Sequence, residues 1–184
     1  MLAGIVLCGG GSSRMGRDKA LLDFEGEPLI VRVTRRLSEV ADPVFVASGG
    51  RRYPVDLEHI DDAAPDSGPL GGIVAGLRAS PHGLLAVVAV DMPFASPSLF
   101  THLAGRHAGS NVVVPEDEHG LQPLHAVYSK TALPHLEQAV GRRDLSLLSV
   151  IDRLKNQVVT EWETFDPTGR FALNVNEPGD LRYR

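Results

Sequence analysis

Cysteine is nearly absent from this 184-residue chain: Cys8 stands alone. One thiol cannot close an internal disulfide or build a cysteine-rich zinc site. Aromatic residues are scarce at 5%, and positive charge is not in surplus, since the formal net charge is −5. That balance argues against a dedicated nucleic-acid binder, which carries a basic footprint. No apolar run approaches the roughly 20 residues that cross a bilayer. The first such run, Leu2 to Cys8, lacks the basic flank and small-residue cleavage site of a targeting segment. The expectation is a cytoplasmic protein with no membrane and no nucleic-acid partner. Repeats, low-complexity tracts and linkers are also missing. At 43% hydrophobic residues, the chain has enough apolar side chains for one core, and the reading is a single domain over 1–184.

What is present is an alternation of apolar runs and amphipathic segments. Leu2–Leu7 is a short run ending at glycines and reads as a strand buried on both faces. Leu29, Ile30, Val33, Leu37 and Val40 recur at helical spacing behind Pro28. Residues 43–48 and 58–60 read as strands, and Leu70, Ile73, Val74 and Leu77 mark one face of a helix. Leu84–Val90, seven apolar residues in succession, suits a central parallel strand. Ser96-Pro97 caps and opens a helix bearing Leu99, Phe100 and Leu103. Further strands are expected at 111–114, 124–128 and 158–165, with a helix around Leu133, Leu136 and Val140. The pattern predicts an α/β fold: a single-domain, Rossmann-like three-layer α/β/α arrangement with a mostly parallel central sheet. Ligands of such sheets bind beyond the carboxyl ends of the strands. That rule gathers the loop after the first strand, Asp61-Asp62, Asp91 and Asn174-Val175-Asn176 into one crevice.

The first loop, Gly9 to Lys19, is the most informative stretch. Three successive glycines let backbone N–H groups approach an anion, and Arg14, Arg17 and Lys19 add positive charge in an acidic protein. The combination suits a polyphosphate; the bland alternative is a surface loop with solvated charges. Neither familiar phosphate fingerprint fits. A Walker A loop needs Lys-Ser or Lys-Thr after its last glycine, where Arg17-Asp18 stands. A dinucleotide fingerprint beginning at Gly9 needs a small residue where Arg14 sits.

Asp91, ending the strongest strand, is the best candidate ligand for a hard cation such as Mg²⁺, which takes one or two carboxylates with phosphate oxygens and water. Its alternative role is to cap the following turn. Asn174 and Asn176 flank Val175 in an extended segment and share a face, within reach of a metal or a second substrate's phosphate. Holding a loop is their ordinary alternative. Asp61, Asp62 and Asp66 form an acidic group of the kind that is usually solvated. A carboxylate there also matches the paired N–H donors of guanine, which adenine lacks. Gly68, Leu70 and Gly71 lie where glycine and proline hold the chain in a tight turn, with backbone atoms open to contact. His102 and His107 read as exposed helix positions, His59 and His125 as strand residues. No Gly-x-Ser-x-Gly nucleophile elbow is present.

The segment Leu7-Cys8-Gly9-Gly10-Gly11-Ser12-Ser13-Arg14-Met15-Gly16-Arg17-Asp18-Lys19 resembles the L-x-G-G-x-S-x-R-M-G-x-D-K signature of MobA-type nucleotidyltransferases. Asp62, Gly68-Pro69-Leu70-Gly71-Gly72, Val90-Asp91-Met92-Pro93, Gln122-Pro123-Leu124 and Asn174-Val175-Asn176-Glu177-Pro178 follow in the family's order. The resemblance implies a nucleotide-diphospho-sugar transferase-like fold and transfer of GMP from GTP to the phosphate of molybdenum-molybdopterin, with pyrophosphate released. It implies Arg14, Lys19 and Asp91 as catalytic residues, with Asp91 on Mg²⁺. Leu7, Cys8, Gly9, Lys19, Asp62, Gly68, Leu70 and Asp91 are implied on the nucleotide, and Asn174 and Asn176 on the acceptor or metal side. A nucleotide-binding half of about 1–95 and an acceptor half of about 96–184 are implied too, as are transient contacts with other molybdenum cofactor biosynthesis proteins.

Two positions depart from the pattern. Cys8 stands where the family usually has alanine, and Ala47 where a guanylyltransferase can place an asparagine. The competing readings are a cytidylyl- or other nucleotidyltransferase of the same superfamily and a GTP-binding module without catalysis. A phosphomonoester is already ionised at neutral pH, so its attack on an α-phosphorus needs positioning and charge neutralisation rather than a protein nucleophile.

Overall fold

The computed structural model describes residues 1–9 and 18–175. Its centre is an eight-stranded sheet. In chain order the strands and helices are β1 (Leu2–Leu7), a small hairpin of β2 (Asp23–Phe24) and β3 (Glu27–Pro28), α1 (Leu29–Leu37), β4 (Val44–Ala47) and β5 (Glu58–Ile60). Next come α2 (Gly68–Ala79), β6 (Leu84–Ala89), α3 (Pro97–Gly105), β7 (Val112–Asp117), β8 (Gly120–Leu121) and β9 (His125–Ser129). The described chain continues through α4 (Leu133–Gly141), α5 (Leu147–Asp152) and β10 (Asn156–Val159). Across the sheet the order is β10-β7-β9-β6-β1-β4-β5, with β8 hooked onto β7.

The two longest apolar runs occupy the middle, as continuous runs buried on both faces must. Successive residues of β1 alternate sides. Val6 packs with α1 and α3, through Leu29, Ile30, Val33, Leu99, Phe100 and Leu103. Ala3, Ile5 and Leu7 pack with α2, α4 and α5, through Leu70, Ile73, Leu77, Leu136, Val150 and Ile151. β6 divides likewise: Ala86 and Val88 face the first layer, Leu85 and Val87 the second. These two cores on opposite sides of one sheet make the expected three-layer α/β/α arrangement.

Pairing is parallel between β6, β1, β4 and β5 and between β7 and β10. The antiparallel pairings are those of β9 with β6 and β7 and of the short β8 with β7. Register fixes the site. Leu7 lies opposite both Ala47 and Ala89, and Ala47 lies opposite Ile60. Four neighbouring strands therefore end in one row, from which Val90-Asp91, Cys8-Gly9, Ser48 and Asp61-Asp62 emerge. At about 4.8 Å per strand the row spans roughly 14 Å, the scale of a nucleotide.

Beneath that row α2 lies tight on the sheet. A Cβ on Gly72 would stand 2.6 Å from Leu7 Cδ2 and 3.2 Å from Ala47 Cβ, distances a packed core does not accept. Glycine at 72 is thus a condition for placing the start of α2, and the turn before it, directly under the strand ends.

Two expectations are corrected. The strand foreseen at 158–165 ends at Val159 and gives way to a 3-10 turn over Trp162–Thr164. Trp162 and Phe165 made the stretch look strand-like, but their rings pack on Phe171 and His102 instead of joining the sheet. His102 is not an exposed helix position: its ring stacks on Phe165 at 3.8 Å and its side chain is 18% exposed. The hairpin at 23–28 and the helix at 147–152 carry too few residues for a periodic signal. Among the described residues no helix is long and apolar enough to cross a membrane.

Candidate functional site

The row of strand ends opens onto a cavity of about 740 Å³ bordered by Cys8, Gly9, Arg51, Asp61, Asp62 and Gly68, among others. Its floor is fixed by backbone bonds. Cys8 N–H donates to the Ala47 carbonyl at 2.9 Å, and Val90 N–H donates to the Leu7 carbonyl at 3.0 Å. Gly68, with φ of +57°, turns the chain into α2 in a conformation that favours glycine, and so brings a helix N-terminus to the cavity wall.

Asp62 is half-buried beside Gly9: a Cβ on that glycine would lie 3.5 Å from Asp62 Oδ2. Burial, reinforced by neighbouring Asp61, raises its carboxyl above the usual range. The carboxylate is held in the cavity wall at an electrostatic cost, which a ligand's N–H or O–H donors would relieve.

Residues 10–17 lie outside the described residues, Arg14 among them. Asp18 and Lys19, adjacent residues of opposite charge, reach in opposite directions across the strand ends. Lys19 Nζ donates to Asp91 Oδ2 at 3.2 Å, on the β6 side. Asp18 Oδ2 accepts from Arg51 Nη1 at 2.8 Å and from the Tyr53 hydroxyl at 3.0 Å, on the β4 side. Asp18 Oδ1 also caps the following 3-10 turn by accepting from Ala20 N–H, and Ala20 is fully buried in the core. The far end of the glycine-rich loop is therefore pinned at a defined height above the strand ends. Sequence reasoning missed Arg51 and Tyr53, which sit 33 and 35 residues from Asp18. Only the fold brings them together.

Beyond β10 the chain returns to the site as a strap. Phe171 is wholly buried, edge-on to His125 at 5.1 Å and tilted against Trp162 at 5.3 Å. Its N–H donates to Asp166 Oδ2 at 2.9 Å. Four residues on, Val175 N–H donates to the Asp91 carbonyl at 2.8 Å. That bond brings Asn174, which is exposed and borders a second cavity of about 740 Å³ with Asp117 and Trp162, to within one residue of a contact with Asp91. Asn176 lies outside the described residues.

The remaining candidates sort by burial. Leu70 and Leu7 turn their side chains into the core, so only their backbones are left to meet a ligand. The Cys8 thiol is buried, and burial followed by the Asp18 charge pushes its pKa far up, so it stays protonated and is not a nucleophile. His125 is a packing residue. It stacks on Phe100 at 3.9 Å and its Nε2 accepts from Ser96 N–H at 3.0 Å. Burial pulls its pKa down to about 3, so it is neutral.

No group of three or more His, Cys, Asp or Glu poised for a metal occurs among the described residues. The donor set at Asp91 is instead one carboxylate, its side chain 21% exposed, facing a lysine. It fits a hard cation that brings phosphate oxygens and water with it, and not a resident ion caged by protein.

A glycine-rich loop opening at the carboxyl ends of a largely parallel sheet, with a lysine and an aspartate at its far side, defines a nucleotide-binding α/β protein of the phosphate-transferring kind. Residues 4–158 match the MobA-like NTP transferase domain, and the chain belongs to that family. It is 36% identical to a probable molybdenum cofactor guanylyltransferase of Methanosarcina mazei, over 96% of this chain and 87% of the relative. Identity to the molybdenum cofactor guanylyltransferase of Pseudomonas putida is 33%, over 97% and 94%. The crystal structure of molybdopterin-guanine dinucleotide biosynthesis protein A from Archaeoglobus fulgidus superposes with a TM-score of 0.84 at 29% identity, over 98% of this chain and 95% of that one.

Proposed function

We propose that this chain is a Mg²⁺-dependent molybdenum cofactor guanylyltransferase. It transfers GMP from GTP to the terminal phosphate of molybdenum-molybdopterin, forming the guanine dinucleotide and pyrophosphate. The family membership and the names of the relatives support the reaction class and both substrates. The observation that carries the site is the meeting of Lys19 and Asp91 at 3.2 Å at the end of β6, in the same row of strand ends that opens onto the cavity beside Asp62.

Guanine occupies that cavity, where Asp62 accepts from its paired N–H donors or from the ribose, and the backbones of Cys8, Gly9, Gly68 and Leu70 line it. The triphosphate runs along the row of strand ends towards Lys19. Arg14 and Lys19 bind its charge and that of the departing pyrophosphate. Asp91 would hold Mg²⁺, which would neutralise phosphate oxygens when bound, and Asn174 and Asn176 serve the acceptor or metal side. The acceptor's phosphate oxygen attacks the α-phosphorus directly, and no protein nucleophile intervenes. Residues of about 1–95 serve the nucleotide and about 96–184 the acceptor, within one cytoplasmic domain that passes its product on through transient contacts with other molybdenum cofactor biosynthesis proteins.

The test is incubation of the purified protein with molybdenum-loaded molybdopterin and either GTP or CTP, with and without EDTA. The proposal expects guanine dinucleotide and pyrophosphate from GTP, little product from CTP, and loss of turnover in EDTA that added Mg²⁺ restores. Preference for CTP would reassign the base, and tight GTP binding without turnover would make the protein a binding module.

A further inference from the structure

Arg51 belongs to none of the motifs that point to the nucleotide site, yet the fold delivers it there. It follows the turn that closes β4 and borders the 740 Å³ cavity. Three carboxylates, Asp61, Asp62 and Asp66, border the same cavity, and among its described lining residues Arg51 is the one cation. A cavity walled by three carboxylates repels a polyanionic nucleotide unless positive charge meets it there. Lys19 is not among those lining residues and reaches towards Asp91 at the end of β6.

The guanidinium is also aimed. Its Nη1 donates to Asp18 Oδ2 at 2.8 Å, and the Tyr53 hydroxyl donates to the same oxygen at 3.0 Å. Tyr53 is 7% exposed, and burial is the main cause that pushes its phenol up to about 12, so it remains a donor at neutral pH. A half-exposed arginine is thus steered by an aspartate that a buried tyrosine and the capped turn at Ala20 hold in place. A guanidinium carries five N–H donors in a rigid fork, so its bond to Asp18 leaves donors for a second acceptor.

We infer that Arg51 is a nucleotide-binding residue, receiving the ribose-phosphate part of GTP at the β4 wall of the cavity, and that Asp18 is the residue that positions it. The inference rests on the reading of this cavity as the GTP site. It adds a cation that the glycine-rich motif does not contain, supplied by the connector between β4 and β5.

Isothermal titration of the full chain with GTP and MgCl₂ tests it, at low and at physiological ionic strength. Removing a charge-assisted contact in Arg51→Ala weakens GTP binding about tenfold to a hundredfold. Arg51→Lys, which keeps charge but loses the fork, recovers part of that loss. Binding by Arg51→Ala also becomes less salt-sensitive than wild-type binding. In an Asp18→Asn background, which keeps an oxygen for the Ala20 cap, the effect of Arg51→Ala shrinks because the guanidinium is no longer aimed. A merely structural role would lower the unfolding temperature and leave the salt dependence alone. Equal GTP affinity of Arg51→Ala and wild type overturns this inference while sparing the proposed function. No GTP binding by the wild-type chain overturns both.

Discussion

Replacing Phe171 by alanine tests the link between the C-terminal strap and the catalytic centre. The ring is fully buried and touches the rings of both His125 and Trp162. Truncating a buried phenylalanine costs about 3–5 kcal/mol, and each favourable ring pair adds about 0.5–1.5 kcal/mol beyond burial. The upper part of that range applies here, because two such pairs are lost together. A domain of this size has about 5–15 kcal/mol in hand, so the variant still folds, but the strap has lost its anchor. The Val175 bond to the Asp91 carbonyl depends on that anchor, and Asn174 depends on the bond. Urea unfolding at constant slope and steady-state guanylyl transfer should therefore move together, with a fall of about 5 kcal/mol in stability and at least a tenfold fall in kcat/KM. Should the strap detach by itself, the global loss is smaller and the kinetic loss remains. A variant that keeps wild-type kcat/KM while losing several kcal/mol would refute the claim that the strap serves the site.

Three further outcomes follow from the same geometry. Lys19→Met and Asp91→Asn should each lower kcat/KM by about 10²- to 10³-fold, with unfolding midpoints near that of wild type because a partly exposed ion pair contributes little; circular-dichroism melts beside a pyrophosphate-release assay check this. Asp62→Asn should raise the melting temperature at pH 7 while weakening GTP binding, since the folded carboxyl pKa lies above its unfolded value and ionisation disfavours the fold. A lowered melting temperature would show that the carboxylate stabilises the fold instead. His125 is folded with a pKa of about 3 against 6.5 when unfolded, so between those values the unfolded chain binds the extra proton. Its contribution to stability is present above pH 6.5 and is lost as pH falls towards 3, at up to about 1.4 kcal/mol per pH unit. Denaturant titrations of His125→Gln across that window should show a slope shallower by up to one proton.

The layers were legible because their cause is local. Leu2–Leu7 and Leu84–Val90 are apolar without interruption, and such runs have no stable place except between two helical layers. The antiparallel course of β9 was not legible, since its residues read the same in either direction and only its neighbours decide. Trp162 and Phe165 misled for a related reason: an aromatic residue signals burial, and rings packed on Phe171 or His102 satisfy it as well as a sheet does. At the site, the glycine-rich loop and the aspartate ending a buried strand are local signals, and Lys19 at the end of that loop meets Asp91. The Lys19–Asp91 pair joins residues 72 apart, and the Asp18, Arg51 and Tyr53 cluster has no sequence spacing to betray it. Partners of that kind are set by strand register, which composition does not encode.

The measurement that bears most directly on the central claim is a crystal structure of the protein with GTP and Mg²⁺. Guanine is expected in the cavity beside Asp62, phosphates on Lys19, and the cation on Asp91. Nucleotide bound elsewhere, with Lys19 and Asp91 still paired and the cavity holding only solvent, would contradict that claim.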